Sequence, residues 1–167
     1  MKPLSIPLLV VVLAAATGFG TTLAQLIASR GGVVPITGWL TGLLLLALTA
    51  VLIVVGLPLR RYLKESEERS ASGSFAPRRH QLDMITAYRV VTFARACAYT
   101  GVLVGGAHLG IALHLGPSGI GSMAGAVLPT LFAGVCGIVL AVAGVVVERW
   151  GKLPPEEGDP SAESSPA

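Results

Sequence analysis

The charged residues of this chain fall almost entirely in two places, and the long intervals between them constrain the fold most. Of its 12 Lys and Arg and 9 Asp and Glu residues, 12 lie between Arg60 and Arg95 and 7 lie from Glu148 onward. A hydrocarbon core of about 30 Å needs roughly 20 apolar helical residues to cross it. The intervals free of charge are residues 3–29, 31–59 and 96–147, long enough for one, one and two crossings. The sequence therefore predicts an all-α membrane protein with four transmembrane helices in two helical hairpins.

The overall composition agrees with that class and argues against nucleic-acid binding. Apolar residues make up 53% of the chain and charged residues only 13%, whereas soluble domains carry about 25% charged residues. The net charge of +3 is not interleaved with the aromatic residues that a base-stacking surface requires. Since the positive residues adjoin apolar segments, we expect the lipid bilayer and its anionic headgroups as partners, and no nucleic acid.

The predicted transmembrane domain covers residues 1–150. Its spans are placed at about 6–29, 35–59, 89–115 and 120–147, with a polar loop over 60–88. Pro35 suits the first turn of the second helix, Pro58 is expected to loosen its last turn, and Pro129 to bend the fourth. Residues 116–119 read as a tight turn, residues 60–69 as a helical extension, and the acidic tail 151–167 as disordered.

Loop charges predict the orientation of the spans. Eight Lys or Arg residues lie between Arg60 and Arg95, the connection between the first two spans carries one, and the turn between the last two spans has none. Positive residues are retained in the cytoplasm, so both termini are expected there. The first span has an alternative interpretation as a signal peptide, with a weak cleavage site near residues 22–24. We favour its retention, because apolar residues continue through Ala28.

Small residues at four-residue spacing are the clearest pattern inside the spans. Because lipid provides no hydrophobic drive for helix association, close packing depends on such residues. They could pack the chain's own bundle, or they could contact a second copy or another membrane protein. The packing candidates are Gly20, Ala24, Gly101, Gly105, Gly106 and Gly110.

Four arginines, Arg60, Arg61, Arg89 and Arg95, are expected near the cytoplasmic interface. Long basic side chains near helix ends usually extend to the interface. A buried role for Arg95 would need an acidic partner, and no predicted span contains Asp or Glu.

Two polar residues inside the spans, His108 and Gln25, are speculative candidates for ligand, proton or pore chemistry. A hydrogen-bonded structural role is the simpler interpretation of His108. His108 and His114 lie six residues apart and face different sides of a helix, unlike the i,i+4 histidines of a helical metal site. No known catalytic motif occurs, so we expect no catalytic, cofactor-binding or metal-binding residues and no cofactor, and the chain is not predicted to be an enzyme.

Several features from Asp83 onward carry a family resemblance: Asp83 itself, residues 87–89, Arg95, the glycines of the third span at 101, 105, 106 and 110, and the ending of residues 147–150 before two prolines. With these features the chain resembles, over most of its length, an actinobacterial integral membrane family catalogued as domain of unknown function 3180. The third span and the end of the fourth are the most specific part of the resemblance. Met84 and Gly151 depart from the family pattern without disturbing the topology. The resemblance implies the four-span plan and the compartment, and no activity.

These observations predict an integral membrane protein of the bacterial inner membrane, acting as a non-enzymatic scaffold or accessory subunit. The alternative is an oligomeric transporter or channel subunit, with Thr17, Thr21, Thr22, Gln25 and His108 lining a shared cavity.

Overall fold

A computed structural model describes residues 4–34, 38–72, 84–118 and 123–151 of the chain. Within these residues the chain is helical, with no strand. The helices are α1 (Ile6–Ser29), α2 (Trp39–Ser72), α3 (Met84–Ser118) and α4 (Leu128–Trp150), and a π-helix (Met123–Val127) precedes α4.

All four helices are long and apolar enough to cross a membrane. The qualifying segments are Ile6–Ser29, Trp39–Tyr62, Ile85–Pro117 and Gly125–Trp150. The shortest has 24 residues, which at about 1.5 Å per residue exceeds the roughly 30 Å of a hydrocarbon core. The prediction of an all-α chain with four membrane-length helices is confirmed.

Around the polar loop the two helices run beyond the predicted spans. Helix α2 continues through Pro58 to Ser72, which includes the helical extension predicted over residues 60–69, and α3 already begins at Met84. Pro58 removes one backbone hydrogen bond without ending the helix. Pro35, residues 73–83 of the predicted loop and the tail after Gly151 lie outside the described residues.

The turn predicted between the third and fourth spans also differs from the structure. Helix α3 includes Gly116 and Pro117, where a tight turn was predicted. Pro129 is the second residue of α4, in its first turn, and the π-helix ends two residues before it at Val127. Because proline has no N–H, it cannot bond the carbonyl of Gly125 four residues earlier, which favours an irregular turn at this point.

Helices α3 and α4 form the antiparallel centre of the bundle. Helix α1 packs beside α3 and parallel to it, and α2 packs beside α4 and parallel to it. Helices α1 and α2 make no close backbone approach to each other. The two predicted hairpins are therefore consecutive in the chain, but only the second, α3 with α4, packs as a pair. Helix α1 packs on α3, and α2 packs on α4.

Residues 30–34, the described start of the α1–α2 connection, pack at one end of the bundle. Gly31 has a φ of 71°, which glycine adopts without strain, and the amides of residues 30–32 bond back to the Ile27 and Ala28 carbonyls. Val34 is then buried with Ala24 and with Leu115 of α3. We call this the far end. The opposite end, which holds Leu4, Arg60, Arg89 and Arg149, is called the basic end.

Candidate functional site

The helix-3 glycines predicted for packing face two different neighbours. Gly101 and Gly105 lie against α4: a Cβ on Gly101 would be 2.6 Å from the Gly137 carbonyl oxygen, and one on Gly105 would be 3.0 Å from that of Gly134. Such distances leave no room for a side chain. These two glycines therefore allow direct backbone contact between the two central helices.

The other pair, Gly106 and Gly110, lies against α1. A Cβ on Gly106 would be 2.8 Å from the Cβ of Ala16, and one on Gly110 would overlap the Thr17 carbonyl. From the other side, Gly20 of α1 faces the backbone of Ala107 with equally little room. Ala24 is 1% exposed and joins the buried cluster of the far end. All six predicted packing residues thus lie in contacts within the chain.

The most unusual group at the basic end is an ion pair between α3 and α4. The Arg95 guanidinium donates from Nε and Nη2 to Oε1 of Glu148, at 3.1 and 2.9 Å. The same oxygen accepts the backbone N–H of Leu4 at 3.0 Å. The Glu148 side chain is 4% exposed and that of Arg95 is 29% exposed. One carboxylate therefore joins the start of α1 to both central helices.

This arrangement corrects the expectation that Arg95 extends to the interface without an acidic partner. The partner comes from just beyond the predicted fourth span, because α4 continues to Trp150 and carries Glu148 into the bundle. Arg95 and Glu148 border the third charge-free interval. Since that interval folds into an antiparallel pair, its two bordering residues meet at the same end, a signal that was present in the sequence.

The remaining predicted arginines lie at the basic end with exposed side chains. Arg60 places its guanidinium carbon 5.5 Å from the ring centroid of Trp150, within the range of a cation–π interaction. Arg61 and Arg89 are exposed, and so is Arg149, which was not singled out from the sequence. In the described part of the chain none of these four arginines forms an ion pair.

The polar residues considered for a pore are divided among different faces. The Thr21 hydroxyl donates to the Thr17 carbonyl and approaches that of Gly110 at 3.2 Å, inside the α1–α3 contact. Gln25 and Thr22 are exposed on the outward side of α1. The half-buried His108 places Nδ1 2.7 Å from the Val104 carbonyl of its own helix. The structure therefore does not bring these side chains together within one copy.

No group of three or more His, Cys, Asp or Glu side chains is arranged for a metal ion among the described residues. Cys97 and Cys136 are buried and unbridged. The Nε2 atom of His114, near the far end, is buried without a hydrogen-bond partner.

Comparison with known proteins identifies a family and no activity. A family model described as "Protein of unknown function (DUF3180)" matches residues 9–155. No curated protein and no solved structure matches the chain.

Proposed function

The chain belongs to the DUF3180 family of proteins of unknown function, and from the geometry of its bundle we propose that it is a non-enzymatic accessory or scaffold subunit of the bacterial inner membrane. The observation that carries the proposal is the outward face of α1. Ala14, Gly18 and Thr22 lie on it at four-residue spacing, with Gln25 following, and all four are exposed. A Cβ on Gly18 would meet nothing within 4 Å. Small residues in this pattern permit close approach of another transmembrane helix.

The outward face of α2 has no such ladder of small residues between Trp39 and Tyr62. Its exposed positions carry bulky aliphatic side chains, among them Leu40 at 69% and Val54 at 64% exposure. Helix α1 also exposes bulky side chains, such as Val11 and Phe19 at 64% each, but of the two outer helices α1 alone pairs exposed small residues at four-residue spacing within these ranges. That spacing favours α1 as the side that receives a partner.

Gln25 adds a polar requirement to the same face. Its amide offers donors and an acceptor, and within the described residues no hydrogen bond to it is formed. Lipid tails cannot satisfy such a group, whereas a helix packed on the face can. The proposed partner is therefore a transmembrane helix that carries small residues and one polar side chain at the level of Gln25.

Affinity purification from native membranes in mild detergent tests the proposal. We expect the wild-type protein to retain a stoichiometric membrane partner, and Gly18→Leu to lose it because the larger side chain holds the helices apart. Val54→Leu is the matched control, since it alters an equally outward position of α2. Retention of the partner by Gly18→Leu, or loss from both variants, contradicts the proposal.

The second candidate is an oligomeric transporter or channel subunit. It is favoured by the exposure of Thr22 and Gln25 on one face, which several copies could turn toward a shared axis. The same purification would then give a homo-oligomer with no other protein. In reconstituted vesicles Gln25→Leu should abolish solute or ion flux while expression is kept; unchanged flux rules this candidate out.

A further inference from the structure

Two facing stripes of residues run along α2 and α4 between two aromatic contacts. On α2, Trp39, Leu46, Ile53 and Arg60 recur at seven-residue intervals and so lie on one side of the helix. At the far end Trp39 packs against Phe132 of α4, with ring centroids 5.3 Å apart. At the basic end Arg60 lies over Trp150. The two ends of the α2 stripe thus both contact α4.

The corresponding stripe of α4 consists of Phe132, Val139 and Val146, followed by Trp150 one turn later. Between the two end contacts the side chains are neither buried nor fully open. The exposures are 37% for Leu46, 42% for Ile53, 42% for Val139 and 38% for Val146. Half-exposed aliphatic residues on both walls describe a shallow apolar groove that faces the membrane.

Closer to the helix axes the groove has a tightly packed floor. A Cβ on Gly56 would lie 2.9 Å from the Val147 methyl groups, and one on Gly42 would overlap the Phe132 ring. At both points the α2 backbone therefore lies directly against side chains of α4, which form the floor of the groove. Its length, about 32 Å for the helical rise from Trp39 to Arg60, matches a hydrocarbon core of about 30 Å.

The groove has cations at one end only. Arg60 caps it, Lys64 follows one turn later on the same side of α2, and Arg149 is exposed beside Trp150. Of the carboxylates described at this end, Glu148 is held by Arg95, and Glu65 points to another side of α2 than Lys64. Counting the described side chains alone, the mouth of the groove, at the basic end, therefore carries more positive than negative charge.

We propose that this groove binds an anionic phospholipid from the leaflet at the basic end. One acyl chain lies along Ile53 and Val146, and the phosphate lies beside Arg60 and Arg149. The aliphatic walls account for the chain, and the cations account for a negative headgroup. The Trp150 ring already orders the Arg60 side chain at the mouth of the groove. Phosphate binding therefore costs less conformational entropy of that side chain. This site is separate from the outward face of α1 and does not depend on the partner proposed for it.

Native mass spectrometry of the purified full-length protein, with phosphatidylglycerol or phosphatidylcholine added, tests the site. We expect wild type to retain phosphatidylglycerol preferentially, and Arg60→Gln to weaken that binding about fivefold, since one interfacial cation contributes about 1 kcal/mol. Arg89→Gln is the matched control: it removes an equally exposed arginine of the basic end that lies outside the groove, and binding should be unchanged.

A second variant separates the groove from general surface charge. Ile53→Phe keeps every cation and fills the groove, so we expect it to weaken phosphatidylglycerol binding as well. Equal binding by wild type and Arg60→Gln, equal loss from Arg60→Gln and Arg89→Gln, or unchanged binding by Ile53→Phe overturns the proposal. Displacement by inorganic phosphate at millimolar concentration would show a free-anion site instead, and a dimer that Ile53→Phe dissociates would show that a second copy covers the groove.

Discussion

Glu148 is the residue on which most of the basic end depends. Its Oε1 atom accepts two hydrogen bonds from Arg95 and one from the Leu4 amide. A buried carboxylate costs several kcal/mol in desolvation unless such donors compensate it. The pair is therefore better understood as a device that fixes how α1, α3 and α4 meet than as a source of net stability.

Removing the carboxylate charge should destabilise the bundle. We expect Glu148→Gln to lower the free energy of unfolding by about 2–3 kcal/mol, less than the roughly 3–5 kcal/mol of a fully buried pair, because Arg95 is 29% exposed. Denaturation in mixed micelles measures the change, with Arg149→Gln as the neighbouring control that should have little effect. The double variant Arg95→Leu/Glu148→Leu should recover much of the loss, and failure to do so would contradict the pairing.

At the scale of the helices, small residues determine which elements touch. The α1–α3 contact is made by Gly20, Gly106 and Gly110, each of which faces backbone or a short side chain of the other helix. Since lipid solvates the separated helices as well as the packed ones, this contact depends on close fit. A single added methyl group at the contact is therefore expected to matter.

Two glycine-to-alanine variants compare an added methyl group at the α1–α3 contact with one on the outward side of α1. Gly110→Ala would overlap the Thr17 carbonyl, and we expect it to lower the free energy of unfolding by about 1–3 kcal/mol. Gly18→Ala adds the same methyl group on the outward side, where nothing lies within 4 Å, and should change stability by less than about 0.5 kcal/mol. The same mixed-micelle titration compares them, and equal effects would contradict the assigned faces.

Sequence patterns predicted the spans well and the contacts poorly. The spans follow from the cost of placing charge in hydrocarbon, so intervals without charge reveal them. The glycine pattern could not distinguish packing within the bundle from packing between copies, because 21 glycines produce such spacings by chance. The Arg95–Glu148 pair did not follow from the predicted spans, because the fourth span ends at Val147, one residue before the carboxylate that pairs with Arg95.

At the scale of the whole molecule, α1 is an integral part of the bundle. It covers the Gly106 and Gly110 face of α3, and Leu4 bonds to Glu148 at the end of α4. Cleavage near residues 22–24 would expose that face and remove the amide from the carboxylate. We therefore predict that α1 is retained, which intact-mass spectrometry of membrane-purified protein would show. A mass that begins after residue 24 would contradict this prediction.

Helix α2 lies beside α4 and away from α1, although α1 is the helix that precedes it in the chain. A Cβ on Gly56 would lie 3.5 Å from the Cβ of Val147, within the range that a disulfide spans. In a background without Cys97 and Cys136, oxidation in native membranes should cross-link Gly56→Cys/Val147→Cys rapidly. Gly56→Cys/Val145→Cys, which turns the second thiol toward the Leu9, Val102 and Ala141 cluster and away from α2, should not cross-link. Absence of the first cross-link, or equal formation of both, would contradict the arrangement.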